Sequence, residues 1–227
     1  MSPAPPQASA EPPSRPSPSR KQANAEAAIV KLAEEVGDSR STFNALEIDL
    51  GKKASVDAFV SNLVEQDIQL DVLLNNAGIN GFAEAKKTKE GRDRILNVNY
   101  THTRYLSEQM LEHNRIKENS KIICVGSLAG KIGGYKVNPP VYERLLTWQS
   151  WGYKELEDFL KDVLADHEDP ESDRAKQWHP MFYVTTKLFL NLWVSVFSKD
   201  PRVTAKGIQV YALCPGFCET EMMVGSE

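Results

Sequence analysis

The sequence predicts an α/β domain built on a parallel sheet with helices on both faces. Two observations predict it. Apolar strand-like runs alternate with amphipathic helical runs along most of the chain, the order that produces parallel strands with helical crossovers. Four short motifs also follow directly on such runs: Asp49-Leu50, Asn75-Asn76-Ala77-Gly78, Gly126-Ser127 and Pro215-Gly216. They fall at the carboxyl ends of strands, where sheets of this kind bind ligands.

Residues 1–19 are Pro, Ser and Ala with little else, and hold seven of the 13 prolines. Such a stretch buries too little apolar surface to offset its ordering entropy, so it is expected to be a disordered leader. It lacks the apolar core of a secretory signal; its Ser and Arg, with one acid, Glu11, leave an organelle-targeting leader open. Residues 21–36 carry helical periodicity through Ala25, Ile29, Leu32, Ala33 and Val36, with Gly37 as the stop. Residues 43–50 read as a strand. Residues 54–67 read as a helix with Val56, Phe59, Val60, Leu63 and Val64 on one face. A short strand over 71–76 opens into Asn75–Gly78, and a long helix follows over 90–114. Another buried strand over 121–125 ends at Gly126-Ser127. Residues 140–166 carry two helical patterns around Trp148, Trp151, Leu156, Phe159 and Leu160. The helix of Tyr183 runs to about 198, and a last strand over 207–213 leads into Pro215-Gly216.

The 227 residues suffice for one domain with a tail. A formal net charge of −4 without a long basic block gives no reason to expect nucleic acid as a partner. No apolar run approaches the ~18–20 residues of a membrane span. The three cysteines read as reduced, buried thiols of a cytoplasmic protein. The four histidines are scattered, and no metal site is expected.

Tyr183 and Lys187 stand four apart at the start of a helical run, so both face the same way. A tyrosine hydroxyl ionises near ~10 and is a poor acid–base catalyst at neutral pH. A neighbouring ammonium favours the phenolate, and about 4 kcal/mol of such preference would bring the phenol to neutrality. The pair could then hand a proton to a carbonyl oxygen or take one from an alcohol. Ala77 and Gly78 would let a flat cofactor approach the backbone, or Asn75–Gly78 simply stops a strand. Ser127 could donate to a substrate oxygen or cap the next helix. Asn99 lies mid-helix, where asparagine is unfavourable; it has a polar task there or is merely exposed.

Together, Asn75-Asn76-Ala77-Gly78, Asn99 within Asn97-Val98-Asn99-Tyr100, Gly126-Ser127, Tyr183-x-x-x-Lys187 and Pro215-Gly216 resemble the short-chain dehydrogenases/reductases, from about Arg20 to the C-terminus. The resemblance implies a Rossmann-like fold and reduction of a small carbonyl substrate with NADP(H). It implies Tyr183 as proton donor, with Lys187 lowering its pKa and binding the nicotinamide ribose. It implies Ser127 as the group polarising the carbonyl and Asn99 as holder of a relay water. Asp49, Leu50, Asn75, Ala77, Gly78, Pro215 and Gly216 would line the cofactor, with Thr220 at the nicotinamide amide. The hydride chemistry would be the cofactor's.

The interval between Ser127 and Tyr183 is longer than in most of the family. The insertion, about 133–178, is similar to that of the monomeric carbonyl reductases, where extra helices cover a face others use to oligomerise. A monomer is therefore expected, and the insertion is either a substrate lid or simply packed. Arg20-Lys21 would match the basic residues that hold the extra phosphate of NADP, or are linker charge. Trp148, Trp151 and Phe182 are pocket wall or core. The family's opening strand and glycine-rich pyrophosphate turn are not found: the first glycine is Gly37. The expected fold is thus incomplete, without the first two strands and the last strand, and with weakened cofactor binding. The strand near residue 46 is expected not to pair as in the intact family. Two readings follow: a carbonyl reductase with its catalytic constellation intact, or an inactive member with at most a binding role.

Overall fold

The computed structural model describes residues 14–19, 22–37, 42–80, 88–135, 139–169 and 171–216. Its contacts divide the chain into two units, Met1–Asp49 and Leu50–Glu227.

The first unit is a parallel βαβ element. Strand β1 (Ser14–Ser19) leads into helix α1 (Gln22–Val36) and strand β2 (Thr42–Glu47). The strands pair in register from Ser14 opposite Thr42 to Ser19 opposite Glu47. β1 lies inside the stretch expected to be disordered. Its prolines, Pro16 and Pro18, alternate, so both missing N–H groups point to one edge and the other edge is free to pair. α1 ends as anticipated: Gly37 adopts φ 59° and its N–H bonds Ala33 O at 3.2 Å, a left-handed cap that favours glycine. β2, expected to lack its usual neighbours, thus has a parallel partner in β1 within its own unit.

The second unit is a three-stranded parallel sheet flanked by helices. Helix α2 (Lys53–Glu65) precedes β3 (Leu70–Asn75). Helix α3 (Lys89–Leu96), a π-helical turn (Asn97–Thr101) and α4 (His102–Glu112) then run on to β4 (Ile116–Val125). After β4 come α5 (Leu128–Tyr135), α6 (Pro139–Leu146), a 3₁₀ turn (Trp148–Ser150), α7 (Tyr153–Asp166) and α8 (Asp173–Lys176). Helices α9 (Phe182–Phe197) and α10 (Pro201–Thr204) lead to β5 (Gln209–Leu213). The sheet order is β3-β4-β5. Central β4 carries fully buried Ile122 and Cys124, whereas Val72, Leu74, Tyr211 and Leu213 of the outer strands are about half exposed.

Helix α9 is apolar almost all round, with Phe189, Trp193 and Phe197 fully enclosed, so it is the core helix of the unit. The insertion packs beside it. Trp151, Phe159 and Trp178 form tilted and edge-on aromatic pairs, and His167 sits between Trp178 and Phe182. Arg104 of α4 pairs with Glu157 of α7 and lies over the Tyr153 ring. Tyr153 in turn donates to Asp200 Oδ2 at 2.8 Å. Trp151 and Phe182 are thus core residues, while Trp148 is 37% exposed.

α5 and α9 approach so closely that a Cβ on Gly130 would lie 2.6 Å from the main-chain carbon of Lys187. Gly130→Ala must push two helix backbones apart and is expected to destabilise the protein by about 1–3 kcal/mol in urea unfolding. A change within about 0.5 kcal/mol would contradict this packing.

Candidate active site

The ladders set Asn75 opposite Cys124 and Cys124 opposite Ala212. Residues 76–78, 126–127 and 214–216 therefore leave the sheet at one edge, as the four-motif pattern predicted for three of its members. Asp49, the other motif's acid, belongs to the first unit.

Lys187 reaches this edge from α9. It is 4% exposed, and its ammonium donates to Val125 O, the last carbonyl of β4, at 2.7 Å. Nζ also lies 5.7 Å from the centre of the Tyr183 ring, so the two side chains share one face of the helix. Burial pushes the Lys187 pKa down to about 8, against the opposing pull of the Cys124 and Cys214 sulfurs. A Cβ on Gly78 would meet Asn99 Oδ1 at 3.3 Å and Lys187 Nζ at 3.6 Å. Asn99 and Lys187 thus flank the same small gap.

Tyr183 is half-buried. Its phenol is raised above the ordinary tyrosine value, chiefly by burial; the nearby Ser127 opposes the shift and Cys214 adds to it. The expectation that Lys187 acidifies Tyr183 is therefore corrected. The ammonium is turned to Val125 O and is itself disfavoured by burial, so desolvation of the ring prevails.

Ser127 Oγ accepts from Ala129 N at 3.1 Å, the helix-capping role considered for it. Asn99 is fully buried in the π turn. Its Oδ1 accepts from Ile79 N at 2.8 Å, and its Nδ2 donates to Ile79 O at 2.8 Å and to Thr186 Oγ1 at 3.1 Å. The loop after β3 thus satisfies an asparagine that a helix interior disfavours. Thr186 Oγ1 in turn donates to the main-chain carbonyl Tyr183 O at 2.8 Å. Thr186 was missed from the sequence, though it directly precedes Lys187.

The remaining candidates are spread out. Asn75 is 9% exposed, and its amide donates to Ser107 Oγ at 2.9 Å and Cys124 Sγ at 3.4 Å, a buried link among β3, α4 and β4. His102 Nδ1 donates to Leu50 O at 2.7 Å. Ala77 is exposed, and Gly216 has φ 84° with open space where a Cβ would stand. Pro215 lies at the same exposed edge. Arg20 and Thr220 fall outside the described residues. Cys124 is buried as expected, but Cys214 is exposed; its Sγ accepts from Leu128 N at 3.2 Å. Among the described residues no cluster could hold a metal ion, and no helix is long and apolar enough to cross a membrane.

Two outcomes are expected. Thr186→Val leaves the Asn99 amide short of an acceptor and should lower stability by about 1–3 kcal/mol, while Thr186→Ser should not; equal losses would contradict the bond. Lys187 binds fewer protons folded than unfolded between its folded pKa of about 8 and the ordinary 10.5. Its burial is therefore a penalty below pH 8 that is relieved as pH rises through that window. Lys187→Met should raise the unfolding free energy at pH 7 by on the order of 3 kcal/mol, with the difference shrinking toward pH 10.5. A pH-independent difference would contradict the buried ammonium.

The family model of short chain dehydrogenases matches residues 20–141. (+)-Neomenthol dehydrogenase of Arabidopsis thaliana is 23% identical over 209 residues, covering 83% of this chain and 68% of its own length. Dehydrogenase/reductase SDR family member 13 of Bos taurus is 29% identical over 150 residues, covering 65% and 36%. The chain thus spans about one third to two thirds of the length of these curated relatives. Salutaridine reductase from Papaver somniferum superposes with a TM-score of 0.68 at 20% identity, covering 90% of this chain and 78% of that one. Menthone neomenthol reductase from Mentha piperita gives 0.66 at 20% identity, covering 88% and 80%. A short-chain dehydrogenase from Sphingobium yanoikuyae, solved in complex with NADPH, gives 0.53 at 19% identity, covering 87% and 59%. The structural matches share the fold, and the family model covers more than half of the sequence: the chain belongs to the short-chain dehydrogenases.

Proposed function

We propose that this chain carries the catalytic part of an NADP(H)-dependent oxidoreductase that reduces a small carbonyl compound to an alcohol, with Tyr183 as proton donor. The observation that supports it is the placement of Tyr183 and buried Lys187 on one face of α9, with the ammonium 5.7 Å from the centre of the Tyr183 ring. In this reading a substrate carbonyl enters at the open edge of the sheet. Ser127 donates to its oxygen and Tyr183 delivers the proton as negative charge builds there. A phenol raised above its ordinary value remains protonated at neutral pH, as a donor must. Asn99, held through Ile79 and Thr186, borders the gap beside Gly78 that Lys187 also borders.

The nicotinamide half of a dinucleotide fits the residues present. Ala77, Gly78 and Gly216 keep the edge low, and the Lys187 ammonium, with one N–H on Val125 O, borders the gap beside Gly78 where a ribose would reach it. The cofactor, when bound, supplies the hydride. Its pyrophosphate finds no glycine cluster within residues 1–49, so weak affinity is expected of this chain. A monomer is favoured by the insertion, since Arg104, Tyr153 and Asp200 hold α7 against the flank of the unit.

NADPH fluorescence titration and ketone-dependent NADPH oxidation test the proposal. NADPH should bind above the micromolar range, and Tyr183→Phe should lower turnover by about 10²–10⁴-fold with binding unchanged. Unaltered turnover in Tyr183→Phe, or none in the unmodified protein at saturating NADPH, would overturn it.

A further inference from the structure

We propose that Thr186 is a positioning residue for the carbonyl reduction: its hydroxyl holds the Asn99 amide, and with it the loop after β3, against the turn of α9 that carries Tyr183. The inference rests on the reaction proposed above. Thr186 stands directly before Lys187 and is fully enclosed, so its side chain meets no open surface. Its hydroxyl has one proton, which goes back to Tyr183 O, three residues earlier, at 2.8 Å. Toward any other group the hydroxyl can therefore only accept. Asn99, 1% exposed in the π turn, supplies the donor: its Nδ2 lies 3.1 Å from Thr186 Oγ1. Elsewhere α9 is tied to the end of β4, where Lys187 Nζ donates to Val125 O at 2.7 Å and Asn191 Nδ2 donates to Ser127 O at 3.2 Å. Thr186 carries the hydrogen bond from α9 to the π turn.

The orientation of the amide is forced. Ile79 N can only donate and Ile79 O can only accept, and each lies 2.8 Å from the Asn99 side chain. Oδ1 must face the first and Nδ2 the second. The other N–H of Nδ2 then falls to Thr186, and one lone pair of Oδ1 is left over. Oδ1 is also the atom that borders the gap beside Gly78, 3.3 Å from where a Cβ would stand, with Lys187 Nζ 3.6 Å from the same point. The negative end of the amide thus shares that gap with the ammonium, which it favours. Without the Thr186 hydroxyl one amide N–H is buried with no acceptor, a costly state. The amide then turns toward another partner, Oδ1 leaves the gap, and residues 78–79 come loose from the helix that carries Tyr183 and Lys187.

The test compares Thr186→Val, which keeps the shape and loses the hydroxyl, with Thr186→Ser, which keeps the hydroxyl. The first readout is the Lys187 midpoint in the full chain, followed by NMR of ¹³Cε-labelled lysine; a loss of folded fraction alone does not move it. Thr186→Val should lower the midpoint, because the amide oxygen no longer favours the ammonium, and Thr186→Ser should leave it in place. Asn99→Leu should lower it too, and the double variant no further than Asn99→Leu alone. If Asn99→Leu does not fold, the two Thr186 variants decide. A midpoint that ignores Thr186→Val, that moves equally in Thr186→Ser, or that shifts additively in the double variant overturns the proposal. The second readout is ketone-dependent NADPH oxidation, where Thr186→Val should lower kcat about tenfold and Thr186→Ser should restore it. Midpoints that follow this pattern in a protein without carbonyl reduction would count against the activity and leave the positioning of Asn99 standing; an unmoved midpoint in an active protein would do the reverse.

Discussion

A lysine ammonium held out of water against one main-chain carbonyl is the constraint on which this site depends. Lys187 bonds Val125 O and is otherwise enclosed. A single charge-assisted hydrogen bond contributes about 1.5–3 kcal/mol, less than the several kcal/mol that desolvating an ammonium costs. The depressed pKa expresses that deficit. The surrounding apolar packing of α9 offsets it, with fully buried Phe189, Trp193 and Phe197 each contributing about 1.5–3 kcal/mol. The helix that carries the costly group is thus the best-packed helix of the unit.

That packing also fixes the geometry around the lysine. Gly130 lets α5 touch the α9 backbone, and Gly78 leaves a gap between Asn99 and Lys187 that a side chain would crowd. Asn99 braces the loop after β3 through both of its amide atoms, and Thr186 joins that brace to Tyr183. Groups fixed in this way need little reorganisation when charge develops on a substrate oxygen, which is where preorganised sites gain most. The cluster is built from strand ends, helix α9 and the π turn that carries Asn99.

Much of this was legible in the sequence because it follows from period and order. The four-residue spacing of Tyr183 and Lys187 set them on one helix face, and the apolar runs before Asn75, Gly126 and Pro215 put those motifs at strand ends. The sign of the Tyr183 shift was not legible. It depends on how far the ring is buried and on Cys214, which lies 31 positions along the chain. Strand β1 was hidden by its proline content, since composition does not say which edge of a strand the missing N–H groups face. Asn75 looked like a ligand-facing residue but is turned to Ser107 and Cys124, a choice made by tertiary packing. Thr186 and Asn191 lay within the expected helix, yet their partners come from other elements.

The most direct measurement is the pKa of Lys187 itself, read from the ¹³Cε shift of labelled lysine across pH 6–11, with Lys187→Met for assignment. A midpoint near about 8 is expected of an ammonium buried against Val125 O. A midpoint at the ordinary 10.5 would place Lys187 in water and contradict the arrangement from which the rest of the site is built.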